Sequence, residues 1–271
     1  MKNLVSTNWL EKNSNNVRIL DGSWHLPSSN RNASEEFKNS HIENSIFFDI
    51  DKNSNQNSSL PHMLPEKDNW EKIMSEMGIK NSDHIVIYDN SDVISSCRVW
   101  YSFLYFNHNP NLVSVLDGGF KKWVSEKKGV TKEIKEFEKT SYIAEEDLEL
   151  VLRKDQIISN INKKLFELVD ARSKNRFLGL QPEPREELRN GNIEGSKNIP
   201  FTELINISDH TFRDKKEIIS IFKKNKIDAS GKIAFTCGSG VTACILGLAN
   251  SIISGKKPII YDGSWAEYGL K

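Results

Sequence analysis

Cys237 closes the apolar run Ile233-Ala234-Phe235-Thr236 and opens Cys237-Gly238-Ser239-Gly240-Val241-Thr242-Ala243, after which a helical pattern starts. Two glycines let the backbone curl there, so that successive N–H groups, those of Gly238, Gly240, Val241 and Thr242 among them, face one point as an anion nest. The following helix adds the positive end of its dipole. These surroundings favour the thiolate, the nucleophilic form of cysteine. The competing reading of Cys237 is a small apolar core residue. A core cysteine gains nothing from a glycine-rich turn at a strand–helix junction, so the nucleophile is the stronger reading. Cys97 and Cys244 sit inside helical patterns without such a turn and read as core. Tyrosine-type phosphatases use a cradled thiolate with an arginine that grips the phosphoryl oxygens. Ala243 occupies that position here, which excludes phosphoryl transfer.

The elements that must position this loop occur twice. Ile85-Val86-Ile87-Tyr88-Asp89 matches Ile233-Ala234-Phe235-Thr236-Cys237, and Leu116-Asp117-Gly118-Gly119-Phe120 matches Tyr261-Asp262-Gly263-Ser264-Trp265. Ile19-Leu20-Asp21 matches Leu168-Val169-Asp170, and His41-Ile42-Glu43-Asn44-Ser45 matches Asn192-Ile193-Glu194-Gly195-Ser196. The four matches keep their order, at separations of 145 to 151 residues. That is a tandem duplication of a domain, with a period too long for a solenoid. Asp89 falls where the second half has Cys237, so the first half lacks the cysteine nucleophile. The first half is therefore expected to keep the fold without the chemistry.

Short apolar runs at 17–20, 45–48, 85–89, 113–116, 166–169, 196–199, 233–237 and 258–261 read as strands covered on both faces. Helical patterns at 95–106 and 241–254 follow the third strand of each half. The expectation is an α/β protein, each half a parallel sheet flanked by helices, with active loops at the carboxyl ends of its strands. Residues 1–128 and 148–271 read as the two domains, and the charged stretch 129–147 as the linker between them.

Composition narrows the classes. The 271 residues carry 37 Lys+Arg against 37 Asp+Glu, and this balance argues against binding nucleic acid through its phosphates. No run approaches the roughly 18 apolar residues of a membrane span. The N-terminal residues turn polar too soon for a secretory signal and lack the arginines of a transit peptide, so a cytoplasmic protein is expected. Three widely spaced cysteines make no disulfide framework, and none of the six histidines neighbours a cysteine as a zinc site would require. No cofactor or metal is implied.

With these residues in view, the chain resembles the two-domain sulfurtransferases of the rhodanese family, and among them the mercaptopyruvate-using members. The resemblance spans nearly the whole chain. It is carried by Phe47-Phe48-Asp49-Ile50-Asp51, His62-Met63-Leu64-Pro65, Arg98-Val99-Trp100, Val169-Asp170-Ala171-Arg172, Arg176-Phe177, Pro182-Glu183-Pro184-Arg185, the Cys237 loop and Tyr261-Asp262-Gly263-Ser264-Trp265. It implies tandem rhodanese-like domains, an inactive first one and a catalytic Cys237 in the second. Thiosulfate-preferring relatives carry two cations after the cysteine, whereas Gly238 and Ser239 are neutral, as in mercaptopyruvate enzymes.

The resemblance further makes Arg176 and Arg185 the substrate-binding arginines, a bidentate guanidinium being suited to a carboxylate. Arg172 reads as structural. A proton relay is carried onto Ser239, His62 and Asp51, which puts the active site between the two domains. Relatives have an acidic residue just before this histidine, where this chain has Leu60-Pro61. His25, His84, His108 and His210 read as structural or solvated.

The leading expectation is sulfur transfer from 3-mercaptopyruvate through a Cys237 persulfide to a thiol acceptor, such as thioredoxin or a small thiol, or to cyanide. The alternatives are a thiosulfate:cyanide sulfurtransferase and a noncatalytic module that holds an anion or a protein partner.

Overall fold

The computed structural model describes residues 3–271. Ten short strands form two sheets. In the first half these are β1 (Leu4–Val5), β2 (Arg18–Asp21), β3 (Ser45–Phe47), β4 (Ile85–Tyr88) and β5 (Val113–Leu116). In the second they are β6 (Val151–Leu152), β7 (Glu167–Asp170), β8 (Lys197–Asn198), β9 (Ile233–Thr236) and β10 (Ile259–Tyr261). Each sheet has five strands, in the orders β1-β5-β4-β2-β3 and β6-β10-β9-β7-β8. Every pairing is parallel. The two orders are one topology, so the duplication read from the sequence is a duplication of fold. β1 and β6 escaped the sequence reading because two residues are too few to show a pattern.

Equivalent residues build the two cores. Val5, Leu10, Ile19, Ile42, Val86 and Leu116 pack together in one half, and Leu152, Ile157, Leu168, Ile193, Ala234 and Tyr261 in the other. The helices that follow β4 and β9, Ser96–Tyr105 and Ala243–Ser254, are buried along most of their length. Their sequences are accordingly rich in apolar residues, and the polar ones among them, such as Arg98 and Asn250, are buried too.

The chain forms two compact units that exchange short pieces. One comprises the chain up to Gln56, Leu64–Asp147 and Ile207–Thr211; the other comprises Asn57–Met63, Leu148–Asn206 and Phe212–Lys271. The charged stretch 129–147 belongs to the first unit as a packed strap. Thr131 and His41 exchange backbone hydrogen bonds of 2.9 Å, Thr140 N donates to Ser75 O at 2.9 Å, and Tyr142 is buried. Charged side chains point outward from this strap while its backbone is anchored, and for that reason its composition alone reads as a linker.

Candidate active site

β9 delivers Cys237 to the carboxyl end of the second sheet, and Cys237 is 2% exposed. The residues after it turn sharply: Gly240 has φ 77, a left-handed conformation that glycine adopts without strain. Two carbonyls of the loop are tied from the segment after β10, since Trp265 N donates to Cys237 O at 3.0 Å and Ala266 N to Gly238 O at 2.8 Å. Two more open the helix, with Cys244 N donating to Val241 O and Ile245 N to Thr242 O. Thr242, the N-cap of that helix, offers no side-chain oxygen to its first amides. The positive end of the helix therefore meets the loop with no side-chain cap on it. All three cysteines are buried and none is in a disulfide. Cys244 Sγ donates to Gly240 O at 3.2 Å from within its helix, as a core thiol.

His62 Nδ1 lies 2.9 Å from Ser239 Oγ, and both residues are buried. This contact is internal to the second compact unit, because Asn57–Met63 is part of it although the segment precedes β4 in the chain. The expectation of a histidine contributed by the first domain thus takes a particular form: the histidine comes from the first repeat in sequence and from the second unit in space. His62 has φ 59, a left-handed conformation that costs a non-glycine residue energy. Asp51 belongs to the first unit, where the Trp24 indole Nε1 donates to both of its carboxylate oxygens at 3.0 and 3.1 Å.

Arg176 lies next to the loop. A Cβ built on Gly238 would sit 3.2 Å from Arg176 Nη2. The guanidinium is held by Glu183, with Nη2 donating to Oε2 at 2.5 Å and Nε to Oε1 at 3.3 Å. Glu183 also accepts from Arg172 Nη1 at 2.8 Å. Arg172 in turn forks onto the Asp170 carboxylate, with Nη2 to Oδ2 at 2.7 Å, and stacks over Trp265 at 4.3 Å. Asp170, Arg172 and Glu183 are buried, whereas Arg176 is partly exposed. Arg172 is thus a structural cation, as its sequence context suggests, and it carries Glu183 into place beneath Arg176. Arg185 is half-buried, and its side chain makes no hydrogen bond or ion pair among the described residues. The role of Glu183 escaped the sequence reading, although an acidic residue between two arginines of one motif is a visible signal for it.

A family model for the rhodanese-like domain matches the chain twice, over residues 6–126 and 154–271. The chain belongs to the rhodanese family. Among curated relatives, 3-mercaptopyruvate sulfurtransferase of Mus musculus is 38% identical over 99% of this chain and 92% of its own length. Thiosulfate sulfurtransferase of Mus musculus is 36% identical over 98% and 91%. Among solved structures, SseA from Escherichia coli, a 3-mercaptopyruvate sulfotransferase, superposes with a TM-score of 0.88 at 29% identity, over 98% of this chain and all of that one. Tum1 of Saccharomyces cerevisiae reaches 0.90 at 26% identity, over 98% and 94%. The protein is a sulfurtransferase built of tandem rhodanese domains.

The first rhodanese repeat carries a degenerate copy of the same site. Asp21 pairs with Tyr88 as Asp170 pairs with Thr236, so the residues that follow, Asp89 and Cys237, are equivalent. Asp89 turns its own carboxylate into the loop and accepts from Ser91 N at 2.8 Å and Ser96 N at 3.0 Å. Burial pushes its carboxyl up, and the hydrogen bonds from Ser96 and Ser91 offset only part of that rise. Beside it, Arg31 is forked onto Glu36 and donates to Asn90 O at 3.0 Å, which parallels the Arg176–Glu183 pair beside Gly238. His210 falls 148 residues after His62, has the same φ of 59, and belongs to the first unit. There it contacts Lys121 Nζ at 2.9 Å. The separation of 148 lies within the range of the other repeat matches, which is the signal that could have picked His210 out of the sequence.

No helix among the described residues is long and apolar enough to cross a membrane. Among those residues no group of three or more His, Cys, Asp and Glu could hold a metal ion.

Proposed function

We propose that this sulfurtransferase takes sulfur from 3-mercaptopyruvate onto Cys237 and passes it to a thiol, on a small molecule or a protein such as thioredoxin, or to cyanide. The observation that carries this reading is the Ser239–His62 contact of 2.9 Å, two residues beyond Cys237 in a loop whose side chains are neutral. Mercaptopyruvate arrives as a thiol and leaves as an enolate, so its sulfur transfer needs a proton to move, and a hydroxyl facing an imidazole can move one. Thiosulfate brings two negative charges and no proton. The relatives do not separate the two donors, since both activities occur among them at similar identity.

In this mechanism the Cys237 thiolate attacks the thiol sulfur of the donor. A sulfur–sulfur bond forms and the carbon–sulfur bond breaks, its electron pair passing to carbon as the enolate of pyruvate. The thiol proton travels through Ser239 and His62 to that carbon and yields pyruvate. Asp51, the third relay member by the resemblance, belongs to the first unit and accepts there from the Trp24 indole, so the proposed proton path uses Ser239 and His62. N–H groups of Gly238, Val241 and Thr242 and the helix dipole stabilise the persulfide anion, whereas Gly240 N–H, expected among them, is taken by the Ser264 hydroxyl at 3.1 Å. Arg176, with Arg185, takes the donor carboxylate; its link to Glu183 fixes its direction and leaves its remaining N–H groups for substrate. A thiolate or cyanide then attacks the outer sulfur and releases the Cys237 thiolate. The compartment proposed with this reading is the cytoplasm.

The test compares pyruvate release from mercaptopyruvate with thiocyanate formation from thiosulfate and cyanide, in reduced protein. A higher kcat/KM for mercaptopyruvate is expected. A higher value for thiosulfate overturns the choice of donor.

A further inference from the structure

Ser264 follows β10 closely, is fully buried and has φ 49. That conformation is uncommon for a residue with a side chain. The equivalent residue of the first repeat is Gly119, φ 54, where a Cβ would come within 2.5 Å of Asp89 O. The first repeat thus has no room for the side chain that the second repeat holds under strain.

The Ser264 hydroxyl is fully used. Cys237 N–H donates to its Oγ at 3.2 Å and Gly240 N–H at 3.1 Å; the Thr236 hydroxyl donates at 3.3 Å, and Oγ donates to Tyr261 O at 2.8 Å. Two of the acceptances come from backbone amides of the loop that presents Cys237. The N–H groups of Gly238, Ser239, Val241 and Thr242 donate to no protein acceptor among the described residues.

A curled loop gathers N–H dipoles that repel one another, and it needs an acceptor to stay curled. The first repeat supplies one from within the loop, the Asp89 carboxylate on Ser91 and Ser96. The second repeat has a thiol at that position, and the acceptor is the Ser264 hydroxyl, reaching in from β10.

We propose that Ser264 is a positioning residue for Cys237: its hydroxyl holds the Cys237 and Gly240 amides from the β10 side, keeps the loop curled, and leaves the other amides to the sulfur anion. This rests on the reading of Cys237 as the sulfur-accepting thiolate. The strain at φ 49 is the cost of having a hydroxyl where the first repeat has glycine.

The test uses Ser264→Gly and Ser264→Ala, with Cys237→Ser beside them. Both Ser264 variants lose the hydroxyl, but glycine relieves the left-handed strain and alanine keeps it. The readouts are steady-state kinetics and the pH profile of iodoacetamide alkylation at Cys237, followed on its peptide by mass spectrometry. In both variants kcat should fall by about tenfold or more while KM changes little, and the alkylation profile should move to higher pH. A serine that only stabilises the fold would give a Ser264→Gly protein with full kcat and an unmoved profile, and that result overturns the proposal. If Cys237→Ser loses turnover while both Ser264 variants keep theirs, the positioning role falls and the nucleophile stands. If Cys237→Ser keeps turnover, the nucleophile falls and the proposal falls with it.

Discussion

The loops after β4 and β9 leave their sheets from the same register and are served by the same kinds of partner. Each has an arginine–glutamate fork beside it, Arg31–Glu36 or Arg176–Glu183, and a left-handed histidine 148 residues from its counterpart. They differ in what fills the cradle. Asp89 fills it with a carboxylate from the chain itself, whereas the second loop has the Cys237 thiol at that position, and the proposed function leaves that cradle to a sulfur anion. One fold can therefore keep its loop curled in two ways, and only the arrangement with an outside acceptor leaves the amides to a substrate. The same contrast runs one layer deeper. Asp170 is neutralised by Arg172, while the residue two positions after Asp21 is Ser23, whose N–H donates to the carboxylate at 2.9 Å, with the Ser23 and Tyr88 hydroxyls as further neutral partners. In the second half a buried Asp170–Arg172–Glu183 ion network lies beneath the Cys237 loop.

The largest break in this comparison comes from the thiol itself. Cys237→Ser is expected to abolish turnover, while Cys97→Ser and Cys244→Ser keep most of it. After donor treatment, mass spectrometry should find one additional sulfur on the Cys237 peptide. A persulfide carried mainly by Cys97 or Cys244 would place the nucleophile in a helix core and remove the contrast between the loops.

The next break separates the two buried aspartates by the sign of their effect on stability. Asp170→Asn leaves the Arg172 charge poorly compensated in the interior and should cost about 3–5 kcal/mol. Asp21→Asn should act in the opposite direction at alkaline pH. Burial raises the Asp21 carboxyl from 3.8 to about 7. Between those values the folded state holds a proton that the unfolded state has released, so stability falls as pH rises through the window and levels off above it. Replacing Asp21 by Asn should flatten that slope and add roughly 2 kcal/mol at pH 8. Urea unfolding of both variants at pH 5 and pH 8 checks the signs. A destabilised Asp21→Asn with an unchanged slope would mean that this carboxyl is ionised in the fold.

Much of this architecture was legible in the sequence. Buried parallel strands are continuous apolar runs, and the internal repeat by itself makes Asp89 and Cys237 equivalent. What stayed hidden is two-body information. Glu183 is a buried counter-ion because Arg172 and Arg176 converge on it, and no periodicity announces convergence. The exchange of Asn57–Met63 and Ile207–Thr211 between the units is equally silent, since short polar loops read alike whichever core they pack on. The strap 129–147 was misleading for the same reason: its anchors are backbone hydrogen bonds.

A smaller effect sharpens the parallel between the two arginine forks. Arg176→Ala should lower kcat/KM for mercaptopyruvate by roughly 2–3 kcal/mol, the scale of a lost charge-assisted contact. Arg31→Ala should leave it unchanged, because that fork serves a cradle already filled. Arg185→Ala should weaken donor use with the fold intact by circular dichroism. Equal kinetics for the Arg176 and Arg31 variants would mean that proximity to a cradle does not make an arginine a substrate ligand.

The smallest expected effect concerns donor choice, and Ser239 is the residue on which it turns. Full cations beside the sulfur should help thiosulfate, with its two charges, more than mercaptopyruvate, whose single carboxylate Arg176 can take. Gly238 is the poorer place to add one, since a side chain there meets Arg176 Nη2 at 3.2 Å. Ser239→Lys adds the charge but also removes the hydroxyl that faces His62 at 2.9 Å. Ser239→Ala removes the hydroxyl alone, so the step from the Ala variant to the Lys variant isolates the charge. Across that step the ratio of thiosulfate to mercaptopyruvate efficiency should rise by about tenfold, roughly 1.4 kcal/mol. From the natural protein to Ser239→Ala, mercaptopyruvate turnover should fall and thiosulfate turnover hold, because only the first donor needs a proton moved. If the Ala and Lys variants show the same ratio, the neutrality of this loop does not select the donor, and the hydroxyl–imidazole pair must carry the whole preference.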